Sequence, residues 1–486
     1  MHTEFILLTN VASPIWQRAI GAYQVAHHCR QAGITCQVID FTDLFKIEEL
    51  EEIITSLIDK GTLALGISTT FFYNQDTRSR FVSAVRTLEQ ILSDKLRNLI
   101  IDIKARYPHI KIVGGGANSY HIEDDPLFDV IFHGYSEQSV VEYLQSLKGD
   151  IPKRLWPKKN GTEIIDGKHS NFDINTLDHF WHPDDCVLEG ETLPIEISRG
   201  CIFKCSFCSY PLNGKKKFDY LRDPVLIKDE LVKNFENFGT TNYFFTDDTF
   251  NDSTFKLEQL HKVITDLPFK IKFVTYLRLD LLHAHKEQVT LLKEMGLGSA
   301  FFGIETLNHE SGKIIGKGMK PTVVKDFLLD VYHNHWASQI PITCSFIIGL
   351  PKETEASVRA THEWCKTTPI NDLWFPLFIK KNSHFKSEFD INYHKYGYTL
   401  DDEDGWKNDL MNYKRALEIA EEFNNRGLYN ENTPSSWLLF SLLSYGYSIN
   451  DLKDQQLQDV HWPSIALKKF KLFKQYKEKL LAVIQR

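Results

Sequence analysis

Cys201, Cys205 and Cys208 are separated by three and then two intervening residues in the run Arg199-Gly200-Cys201-Ile202-Phe203-Lys204-Cys205-Ser206-Phe207-Cys208. Thiolates so spaced can converge on three corners of one iron-sulfur cube, which leaves one iron without a protein ligand and open to a second molecule. Zinc is the competing reading, but a closed zinc site needs four ligands and only Cys186 and His182 stand upstream to supply a fourth. Eight cysteines in 486 residues are too sparse for a disulfide framework. The opening Met1-His2-Thr3-Glu4 leads into no basic stretch with an apolar run, so a reducing, cytoplasmic setting is expected.

These residues need a scaffold. Short apolar runs at 5–8, 36–39, 63–67, 110–113 and 130–132 alternate with amphipathic stretches at 16–32, 43–59, 77–106 and 136–148, which predicts a parallel sheet with helices on both faces over 1–150. Ligands of such sheets sit at the carboxyl ends of the strands, here Asn10, Ser68-Thr69-Thr70, Gly114-Gly115-Gly116 and Gly134-Tyr135. The triple glycine lets a bulky group approach or simply makes a tight turn, and it is no Gly-x-Gly-x-x-Gly dinucleotide signature. His27 and His28 fall mid-helix, as a half-buried packing pair. Residues 151–192, with Pro152, Pro157, Gly161, Gly167, Pro183 and Gly190, read as an interdomain linker.

A second alternating series follows over 193–380, with strands expected at 194–198, 243–246, 272–276, 300–304, 343–348 and 373–379. Six parallel strands can curve into a partial barrel whose working face is again the strand carboxyl ends, and the cysteine loop follows the first of them. Residues 381–486 are polar, aromatic and mostly helical. No cysteine lies beyond Cys365, so a second iron-sulfur cluster there lacks ligands. The hydrophobic fraction of 42% and charged fraction of 25% are those of globular material long enough for two or three domains. No run approaches eighteen apolar residues, which argues against a membrane span. The net charge of −8 argues against a nucleic-acid partner, with Lys215-Lys216-Lys217 read as a solvated turn.

The Cys-x3-Cys-x2-Cys loop with Phe207 before its last cysteine resembles the signature of the radical S-adenosylmethionine (SAM) superfamily. The resemblance implies a 4Fe-4S cluster on Cys201, Cys205 and Cys208 whose open iron holds SAM, with one-electron cleavage of the sulfonium to a deoxyadenosyl radical. Further segments resemble the family's SAM-facing strand ends: Asp247 and Asp248 in Phe245-Thr246-Asp247-Asp248-Thr249-Phe250, Arg278 and Asp280 in Leu277-Arg278-Leu279-Asp280, Gly303 and Glu305 in Phe302-Gly303-Ile304-Glu305-Thr306, and the adenine-side strand in Phe346-Ile347-Ile348-Gly349-Leu350-Pro351. Read without the family, Asp247 and Asp248 are also a helix cap, Arg278 and Asp280 an ion pair, and Glu305 a surface carboxylate.

A five-stranded N-terminal domain before this barrel resembles the superfamily's cobalamin-binding branch, over roughly residues 1–380. Thr69, Thr70, Gly114, Gly115, Gly116, Gly134, Tyr135 and Glu137 are then the cobalamin-facing residues. The Asp-x-His-x-x-Gly motif that supplies a histidine below cobalt is missing after the first strand, where the chain reads Thr9-Asn10-Val11-Ala12-Ser13-Pro14. The branch implies cobalamin-dependent methyl transfer to an unactivated carbon or to phosphorus of a small-molecule or peptide substrate, with an electron donor such as flavodoxin or ferredoxin. Rearrangement, cyclisation or oxidation without methylation is the alternative.

Overall fold

A computed structural model describes residues 2–10, 16–72, 91–167, 173–176, 181–209, 221–379, 386–401, 405–424, 429–430, 433–434, 442, 444–445 and 462–486. The stretch Lys215-Lys216-Lys217, positions 11–14 after the first strand and the first part of the 77–106 helical pattern lie outside them.

The first sheet has seven strands: β1 (Phe5–Leu8), β2 (Cys36–Ile39), β3 (Ala64–Ser68), β4 (Lys111–Gly115), β5 (Val130–His133), β6 (Lys158–Lys159) and β7 (Thr162–Asp166), in the order β2-β1-β3-β4-β5-β7-β6. All neighbours are parallel except the short β6–β7 edge. The five strands β1 to β5 fall on the five apolar runs, because strands covered on both faces must be apolar throughout. β6 and β7 were not expected. They come from the stretch read as linker, where β7 buries only Thr162 and Ile165 and so carries no clear apolar run.

The second sheet is all parallel, in the order β13-β12-β11-β10-β9-β8: β8 (Leu193–Ile195), β9 (Asn242–Phe245), β10 (Lys272–Leu277), β11 (Leu297–Glu305), β12 (Ile342–Ile348) and β13 (Ile370–Pro376). This is the partial barrel. β13 begins three residues before its expected start because polar Asn371 and Asp372 lie inside it. Asp372 accepts from the indole of Trp374 at 2.5 Å and meets His362 of the helix Glu355–Lys366 at 2.5 Å, so its carboxylate is satisfied by one strand neighbour and one helix residue.

The C-terminal region is helical at Glu388–Asn392, Tyr413–Asn424 and Trp462–Ile484, with two small hairpins between. It does two jobs. Asn424 donates to Trp374 O at 2.8 Å and accepts from Trp374 N at 3.1 Å, which occupies the open edge of β13. The helix Trp462–Ile484 returns to the first unit, where the Tyr476 hydroxyl accepts from Asp40 N at 2.8 Å and Phe473 packs edge-on against Phe45 at 4.7 Å. Among the described residues no helix is long and apolar enough to cross a membrane.

Candidate functional site

The cysteine loop leaves the carboxyl end of β8 and is held from three directions. Ser206 donates to Ile314 O at 2.9 Å, and its carbonyl accepts from Phe389 N at 3.0 Å, so both the helix His309–Ile315 and the C-terminal region grip it. From the end of β10, Arg278 donates to Cys205 Sγ at 3.3 Å and to the Asp280 carboxylate at 3.0 and 2.6 Å. Asn251 fixes the Arg278 backbone by accepting from its N–H at 2.8 Å and donating to its carbonyl at 3.0 Å.

The sulfurs therefore meet donors. Cys201 Sγ accepts from Phe203 N at 3.4 Å and lies 3.4 Å from the Thr249 hydroxyl, and Cys205 Sγ has Arg278. Such contacts suit thiolates bound to iron. Among the described residues no three metal-ligating side chains crowd one point; a cube takes one thiolate at each of several corners, so its ligands stand apart. The suggested fourth ligands for zinc are engaged elsewhere. The Cys186 thiol is buried and donates to Asp184 O at 3.4 Å, burial pushes its pKa up to about 12, and the His182 ring sits 3.3 Å from Asp184. Phe207 packs half-buried against the barrel core.

The two aspartates after β9 part company. Asp247 is fully buried and is committed to Ser198, to Ile197 N at 3.4 Å and to Lys256 Nζ at 3.1 Å, while Lys256 also reaches Asp252 at 3.5 Å. Asp248 takes no hydrogen bond to its carboxylate from any described residue. Burial, with Asp247 and Glu196 nearby, pushes its pKa up to about 7. A half-buried carboxylate without a partner is a ready acceptor for a ligand cation.

Glu305 ends β11 at φ +70, a strained backbone for glutamate, where the register with β12 also shifts. The twist turns its carboxylate inward beside Ser345 Oγ at 3.4 Å and into the space that a side chain at Gly303 would fill, since a Cβ there would stand 2.5 Å from Glu305 Oε1. Lys317, not singled out by the sequence, donates to Gly303 O at 2.7 Å and opposes the charge of both Glu305 and Asp280. Asp280, Gly303, Thr306 and Lys317 line one small depression at the ends of β10 and β11.

In the first sheet the three glycines serve different ends. A Cβ at Gly114 would stand 2.6 Å from Ile122, and one at Gly116, whose φ is +94, 2.6 Å from Thr70 Oγ1, so the protein's own packing requires both. At Gly115 no described residue lies closer to an added Cβ than Phe132 at 3.7 Å. Among the described residues that leaves space at this strand end, which fits a group laid against the sheet edge. Thr69 donates to Gly115 O at 2.7 Å and Thr70 Oγ1 accepts from Ala117 N at 3.1 Å, tying β3 to the glycine turn. Gly134, at φ +69, leads into Tyr135 and Glu137, which turn toward the barrel: Arg199 pairs with Glu137 at 2.9 Å and lies 4.1 Å from the centre of the Tyr135 ring. His27 and His28 are both half-buried on the helix Ile20–Gln31.

Residues 195–365 match the family described as the Radical SAM superfamily. An uncharacterized methyltransferase of Pyrococcus horikoshii is 28% identical over 185 residues, 37% of this chain and 38% of that protein. The anaerobic magnesium-protoporphyrin IX monomethyl ester cyclase of Cereibacter sphaeroides is 24% identical over 259 residues, 50% of this chain and 41% of that protein. These matches thus span about two fifths of each relative's length. Among solved structures, the radical SAM methyltransferase TsrM of Kitasatospora setae, with cobalamin and a 4Fe-4S cluster bound, has a TM-score of 0.55 at 15% identity, covering 77% of this chain and 72% of that one. At that identity the likeness is one of fold.

Proposed function

We propose that this chain, which carries a radical SAM domain over residues 195–365, is a cobalamin-dependent methyltransferase acting on an unactivated carbon or on phosphorus of a small molecule or peptide. The observation that carries the reading is the apposition of two strand-end loops. Arg199, two residues before Cys201, stacks on Tyr135, two residues after β5, so the cysteine loop faces the carboxyl edge of the first sheet where Gly115 leaves room.

Cys201, Cys205 and Cys208 hold the cluster, with Arg278 and the Phe203 N–H donating to sulfur. Asp248 takes the SAM amine, and Asp280, Gly303, Glu305 and Lys317 orient its remaining polar groups. Asp247 acts through Lys256 and Ser198 to hold the end of β9 in place. Gly115, flanked by the Thr69–Thr70 and Gly134–Tyr135 turns, receives the corrin edge, with no histidine assigned to cobalt. When bound, the cluster and SAM supply a one-electron route to a carbon-centred radical, and the corrinoid supplies a transferable methyl group. An electron donor such as flavodoxin or ferredoxin completes the set.

The likeness to a cyclase favours a second reading, radical cyclisation or oxidation without methylation. Methylthiolation is disfavoured, because the other five cysteines, Cys29, Cys36, Cys186, Cys344 and Cys365, are all buried and form no second triad loop. Anaerobic reconstitution with iron, sulfide and hydroxocobalamin, followed by absorbance and SAM-cleavage measurements, tests the proposal. A protein that retains corrinoid, cleaves SAM and takes up the labelled methyl group of SAM on the corrinoid supports it; one that cleaves SAM but takes up no methyl group, with or without corrinoid, moves to the second reading.

A further inference from the structure

Arg199 is 3% exposed and divides its guanidinium between the two sheets. On the barrel side it donates to Glu196 at 2.8 and 2.7 Å. On the other side it pairs with Glu137 at 2.9 Å and donates to Gln24 Oε1 at 3.2 Å, while Gln24 donates back to Glu196 at 2.8 Å. The Tyr135 ring covers its face at 4.1 Å. One buried cation thus meets two carboxylates, an amide and an aromatic face drawn from both units, and only Gly200 separates it from Cys201. A desolvated charge is retained at such a place only while its whole ring of partners is present. A planar five-donor fork can satisfy that ring, and a lysine point charge cannot.

We propose that Arg199 is a positioning residue that makes the placement of Cys201 depend on the 134–137 turn of the first sheet. Its charge sets the electrostatic surroundings of the cysteine loop, and its fork geometry holds the two units together. The proposal rests on the reading of Cys201 as a cluster ligand for one of its two readouts only.

Arg199→Met removes both charge and fork; Arg199→Lys keeps the charge alone. Hydrogen exchange in the ligand-free protein reads the contact between units. In both variants amides 134–141 should exchange about tenfold faster, the mark of a local opening made easier. A redox titration of the reconstituted cluster reads the charge. The midpoint should move negative in Arg199→Met, because a buried cation near the thiolates is lost, and return in Arg199→Lys. Glu137→Gln, a change on the far side of the contact, should move the midpoint positive and serves if Arg199→Met does not fold. Exchange at 134–141 within about twofold of wild type in both Arg199 variants, full recovery of both readouts by lysine, or an unmoved midpoint in Glu137→Gln overturns the proposal. A wild-type protein that assembles no cluster refutes the functional reading instead, and the exchange measurement then decides this one alone.

Discussion

The guanidinium of Arg278 lies 3.8 Å from the centre of the Phe203 ring and donates to Cys205 Sγ at 3.3 Å. One side chain from the end of β10 therefore grips two residues of the cysteine loop and, by its other edge, Asp280. Arg278→Ala should leave iron content near wild type and, by releasing the Asp280 carboxylate that it holds, weaken SAM binding by about 1.5–3 kcal/mol, the worth of one charge-assisted hydrogen bond. Calorimetric titration of the reconstituted protein with SAM checks this, and unchanged affinity would remove Arg278 and Asp280 from the site.

Cys186 is sealed beneath Arg18, whose guanidinium donates to its carbonyl at 3.0 Å. Cys186→Ala should keep about four irons per chain, as a cube on three other thiolates requires, whereas Cys205→Ala should lose them. Iron and sulfide assays give the answer, and the reverse pattern would sink the ligand assignment.

Burial, with Asp247 and Glu196 nearby, pushes the Asp248 pKa up from the ordinary 3.8 to about 7 in the folded chain. Its folded form binds a proton more readily than its unfolded form, so its contribution to stability falls as pH rises from about 4 to about 7 and stays lost above that. Asp248→Asn should therefore gain in melting temperature over wild type as the pH is raised through that window. Parallel melting curves for the two proteins that never separate would show the carboxylate to be well solvated.

The glycines after β4 separate fold from ligand. Gly116→Ala should cost roughly 1–3 kcal/mol, since it forces a side chain into a left-handed backbone against Thr70. Gly115→Ala should change stability by no more than about 0.5 kcal/mol, yet a bulkier Gly115→Val should abolish corrinoid retention. Denaturant melts and the absorbance of the desalted protein measure the two effects. Full retention by Gly115→Val would place the corrin elsewhere.

Much of this architecture was legible because strands covered on both faces must be apolar. The runs at β1 to β5 and at β8 to β12 announced themselves, and the cysteine spacing located the loop after β8. What stayed hidden were features made by distant partners. β7 is half polar, and its place in the sheet comes from pairing with β5. Asp247 and Asp248 looked alike in sequence, and only the fold sends one into a buried pair with Lys256 and leaves the carboxylate of the other with no hydrogen bond from a described residue. Arg199 stood in plain view before Gly200, but Glu137 and Gln24 meet it from 62 and 175 residues away. The strain at Glu305 and the role of Lys317 likewise arise from three-dimensional closure at the strand ends.

The contact between Asp40 N and the Tyr476 hydroxyl joins residues 436 positions apart. Trp16 N similarly reaches the Ser444 hydroxyl across 428. During synthesis the first unit emerges some four hundred residues ahead of either partner, so the faces of Phe41 and Phe45 that meet Tyr476 and Phe473 stay open in the interval, although Trp16 already stacks on Phe41 at 4.0 Å. Covering of this face is thus completed after the strands beneath it are made, and apolar surface left open in the interval is of the kind that invites misassembly.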